Sequence, residues 1–74
     1  MAIVRTLERQ DLERDSSHTE VECTYSIVHT AEGTFLQVDT YGSVARQMRG
    51  KKSQSIRFSP EAIEQLKKII ATEL

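Results

Sequence analysis

Apolar and polar residues alternate along most of this chain, and near its C-terminus a three-to-four-residue period takes over. In residues 2–8, Ile3, Arg5 and Leu7 alternate with Ala2, Val4 and Thr6, which favours a strand without choosing its buried face. Residues 20–29 place Val21, Cys23, Tyr25, Ile27 and His29 on one face, against Glu22, Thr24 and Ser26 on the other. Ala31, Glu32 and Gly33 make a hairpin loop in which Gly33 can take a positive φ. The returning strand, 34–41, assigns Leu36 and Val38 to the core and Phe35, Gln37, Asp39 and Tyr41 to the opposite face. In 53–58, Ile56 and Phe58 share the core face, while Ser53, Ser55 and Arg57 point away.

The period then changes. Over 60–73, Ala62, Ile63, Leu66, Ile69 and Ile70 fall on one arc of a helix that Leu74 continues. Ser59 is a ready N-cap, Pro60 loses no hydrogen bond at the first helical position, and Glu61 suits the positive end of the helix dipole. The pattern predicts an α+β fold in one domain, 1–74. Its expected form is a four-stranded antiparallel sheet in ββββα order, with the C-terminal helix packed across the Ile56 and Phe58 face. Residues 10–18 are a polar connection. The segment 42–52, GSVARQMRGKK, is a linker with room for a helical turn at 44–48.

Composition narrows the function classes. With 74 residues a single core is only marginally sufficient, which makes a homodimer the expected state. Hydrophobic residues at 38% and charged residues at 28% describe a globular chain, and a net charge of −1 confines any basic function to local clusters. No apolar run reaches membrane-spanning length and no signal peptide is evident. One cysteine permits neither an internal disulfide nor a cysteine-rich zinc site, so a cytoplasmic setting is expected.

Most candidate chemistry has a plainer explanation. Gly50, Lys51, Lys52 and Ser53 resemble the end of a phosphate-binding loop, but Ala45 stands where its first glycine belongs and a strand follows. Cys23 alternates with apolar neighbours and reads as a small buried residue. His18 and His29 lack metal-ligand spacing. Asp11, Glu13 and Asp15 are interspersed with arginines, and Glu20 and Glu22 share a strand face with nothing apolar to shift a pKa. The chain is therefore expected to be non-enzymatic, with no catalytic residues, metal, cofactor or small-molecule substrate.

One constellation stands apart. Arg46, Arg49, Lys51 and Lys52 crowd a linker that has no acid, and Arg57, Phe35 and Tyr41 are expected on the open sheet face beside it. Clustered cations neutralise phosphates, and aromatic rings stack on unpaired bases. Single-stranded DNA or RNA is the expected partner, since the sole helix is needed for the core. The rival reading packs Phe35 and Tyr41 into a dimer or protein-partner interface and leaves the linker solvated.

The order ββββα, with a basic linker ahead of KKSQSIRFSPEAIEQLKKII, resembles the Pur repeat and the transcriptional positive-cofactor family. That resemblance implies a dimeric, twisted antiparallel sheet holding single-stranded nucleic acid on its open face. The basic residues would hold phosphates, with Phe35 and Tyr41 against bases; the acidic N-terminal half departs from the pattern. The stretch LQVDTYGS followed by GKKSQSIRFS is also similar to small bacterial proteins that carry no assigned function.

Overall fold

A computed structural model describes residues 1–43 and 52–74. The chain forms β1 (Ala2–Val4), β2 (Val21–Thr30), β3 (Gly33–Ser43), β4 (Lys52–Phe58) and α1 (Pro60–Glu73). The four strands make one sheet in the order β1-β4-β3-β2. The α+β arrangement is as the alternation predicts, but the sheet is mixed. β2 pairs antiparallel with β3 and β3 antiparallel with β4, whereas β1 lies parallel to β4.

The parallel pair continues past its last register. β1 and β4 end together, and the Ser59 N–H donates to the Val4 carbonyl at 3.0 Å, extending their contact by one bond. Beyond Val4 the chain leaves the sheet and follows the helix, so β1 stops well short of residue 8. The Gln65 side chain replaces a strand neighbour there, with its Oε1 accepting from the Leu7 N–H at 2.8 Å and its Nε2 donating to the Leu7 carbonyl at 3.3 Å. An Arg9–Glu73 ion pair ties the same segment to the last turn.

Helix α1 begins as its sequence dictates. Ser59 is extended (φ −69, ψ 166), its Oγ accepts from the Ala62 N–H at 3.2 Å, and its carbonyl accepts the first helical bond from Ile63. Gly33 has φ +131, and a Cβ placed there would meet Pro60 Cγ at 2.9 Å, so a side chain is excluded on two counts. The helix touches β3 and β4. Ala62 is buried and Gln65, Leu66 and Ile69 are half-buried, a spacing that marks the packed side. Ile70 and Leu74, expected on the covered arc, are exposed.

The expected core face is not the sealed one. Among the described residues the buried apolar side chains are Phe35, at 3% exposure, and Ala62. Gln37, Asp39, Ser55 and Ser59 are buried with them. Leu36, Val38 and Phe58 are only half-buried, and Ile56 is 37% exposed. The covered side is the one that carries Phe35, where a Cβ on Gly33, two residues earlier in the same alternation, would meet Pro60 Cγ of the helix at 2.9 Å. The helix was expected on the Ile56 and Phe58 side, which stays unsealed.

Candidate interaction surfaces

Directly paired residues share a face, so the registers define each side of the sheet. On one side Ser26, Gln37, Arg57 and Ile3 form a row, beside a row of Thr24, Asp39 and Ser55. Asp39, 2% exposed, is the hub of a polar network there. Its carboxylate accepts from Ser55 Oγ at 2.6 Å, from Gln37 Nε2 at 3.1 Å and from Lys52 Nζ at 3.2 Å. Arg57 Nε and Nη2 both donate to Gln37 Oε1, at 3.1 and 2.6 Å. The Ser55 hydroxyl lowers the Asp39 pKa most, with help from Gln37 and Lys52, against the desolvation that would raise it. Asp39 therefore stays ionised and is a poor base. The Ser55–Asp39 pair reads as structural, not as an activated nucleophile.

This side is the one expected to meet nucleic acid, and most of its expected groups are engaged. Phe35 is buried, with the Arg5 guanidinium 6.0 Å from its ring centroid, so its ring is closed to a base. Tyr41 is half-buried, and its hydroxyl lies 3.0 Å from Thr24 Oγ1. Lys52 and Arg57 are tied to Asp39 and Gln37. Arg46, Arg49 and Lys51, and the helical turn expected at 44–48, lie outside the described residues.

The other side is apolar from edge to edge. One row runs Tyr25, Val38, Ile56 and Ala2; the next runs Ile27, Leu36, Phe58 and Val4. No charged residue interrupts either row. Tyr25 is 74% exposed and Ile27 is 53% exposed. Alternation grouped the two on one strand face, and the register sets them opposite Val38 and Leu36.

Comparison with known proteins finds no matching family model, no matching curated relative and no matching solved structure.

The remaining candidates carry little. Cys23, expected to be buried, is exposed on the apolar side, one pair beyond Tyr25. His18 Nδ1 lies 2.7 Å from the Ser16 carbonyl oxygen, and His29 Nδ1 lies 3.3 Å from Thr34 Oγ1. Among the described residues, no group of three or more His, Cys, Asp or Glu side chains could hold a metal ion. No helix among them is long and apolar enough to cross a membrane. A groove of about 550 Å³ between residues 7–10 and the helix is lined by Leu7, Glu8, Arg9, Gln65, Lys68 and Glu73 among others, and Arg9 and Glu73 are paired across it.

Proposed function

We propose that this protein is a non-enzymatic interaction module that engages a macromolecular partner through the apolar side of its sheet. One observation carries the reading: two uninterrupted apolar rows cross all four strands, and their β2 end lies open to water. Contiguous exposed apolar surface of this kind marks an interaction site, whereas scattered exposed apolar residues do not. Photo-crosslinking tests it. With benzoyl-phenylalanine in place of Tyr25, a protein adduct is expected that the same probe at Ser26 does not give and that Ile27→Glu abolishes. Equal labelling from both positions would contradict the reading.

A second reading, binding of single-stranded nucleic acid, is favoured by the four cations and no acid of segment 42–52. With Phe35 closed off, such binding rests on phosphate contacts and shows little base preference. Anisotropy of a labelled single-stranded oligonucleotide should then fall steeply with salt, with a smaller slope for Lys51→Glu and Lys52→Glu. Lys52 contributes less than its charge suggests, because Asp39 already faces it at 3.2 Å. Absence of binding at low salt would remove this reading and leave the first intact.

A further inference from the structure

We infer that the partner on the apolar face is a second copy of this chain, packed sheet to sheet across a two-fold axis; this rests on the interaction reading above. The first argument is the size of the core. Among the described residues only Phe35 and Ala62 are fully buried apolar side chains, while Leu36, Val38 and Phe58 are half-buried and Tyr25, Ile27 and Ile56 exposed, and a chain of this length has little burial to spare. The missing burial is present in the molecule, laid out on the open face. Pairing two such faces turns each half-exposed row into the inner layer of a sandwich, as in an obligate dimer interface.

Self-complementarity is the second argument. A two-fold contact brings the same patch against itself, so any charge in the two rows would meet its own kind. Both rows are free of charge, and Ala2 and Val4 at one edge oppose Tyr25 and Ile27 at the other in size. A large residue of one copy can therefore lie over a small one of its partner.

The experiment is sedimentation equilibrium on the full chain over a wide concentration range, paired with thermal melts at the same concentrations. Wild type is expected at twice the 8.4 kDa chain mass, with a melting temperature that rises with concentration. Ile27→Glu should weaken the association by at least ~30-fold, the scale of a central interface residue, while Ser26→Glu on the other side leaves it unchanged. If Ile27→Glu fails to fold, Tyr25→Ser serves as the second variant, and concentration-dependent melting of wild type remains a readout. A wild type that is monomeric throughout, melts independently of concentration and yet gives the Tyr25 crosslink overturns the self-pairing and keeps the interaction reading. A dimer that Ile27→Glu and Tyr25→Ser leave intact puts the self-contact elsewhere and overturns the self-pairing, while the crosslink comparison between Tyr25 and Ser26 decides the interaction reading separately.

Discussion

Asp39 keeps its charge in a place where a charge is costly, because every lowering influence on it comes from a side chain its neighbours already present: Ser55 first, then Gln37 and Lys52. A carboxyl whose folded pKa is depressed contributes stability that is present above its unfolded pKa and is lost as pH falls through the folded one. Wild type should thus lose stability through the acid range below the ordinary carboxylate pKa. Asp39→Asn should be less stable at neutral pH with a flatter acid limb, read from urea denaturation at a series of pH values. An unchanged acid limb would remove Asp39 from this role. Phe35→Ala on the same side should cost about 3–5 kcal/mol, because its ring is sealed. The sequence could not show this. Period-two alternation separates Phe35, Gln37 and Asp39 from Leu36 and Val38, but it does not say which set is covered. Polarity argued for the wrong one, because mutual hydrogen bonding removes most of the penalty for burying Gln37, Asp39 and Ser55.

The strand-to-helix junction is where local sequence governs most completely. Ser59 and Pro60 announce a capped helix, and the cap forms with the Ala62 N–H as its donor. Ser59→Ala should therefore cost ~1 kcal/mol in urea denaturation. Gly33→Ala should also destabilise, through both its φ of +131 and the 2.9 Å approach to Pro60 Cγ; a neutral result would show that the hairpin can shift away from the helix. The hairpin joining β2 and β3 was legible from Gly33 and the flanking alternation. The parallel pairing of β1 was not. Ala2 pairs with Ile56 across nearly the whole chain, and nothing within residues 2–8 encodes a partner so remote. The later part of that segment, around Leu7, turns out to belong beside Gln65 on the helix.

At the scale of the whole molecule, one side of the sheet stays incompletely buried, and two uncharged apolar rows cross it. The layered α+β plan was readable from the change of period at Ser59. Its sidedness was not, because an apolar face left uncovered carries the same alternation as one the chain covers itself. The most direct measurement is an isotope-filtered NOE experiment on a mixture of labelled and unlabelled chains. Contacts from the Ile27 or Ile56 methyls of one copy to Tyr25, Ile27 or Ile56 of the other are predicted. An absence of intermolecular contacts at high concentration, or contacts centred on Gln37 and Ser55 instead, would contradict the account.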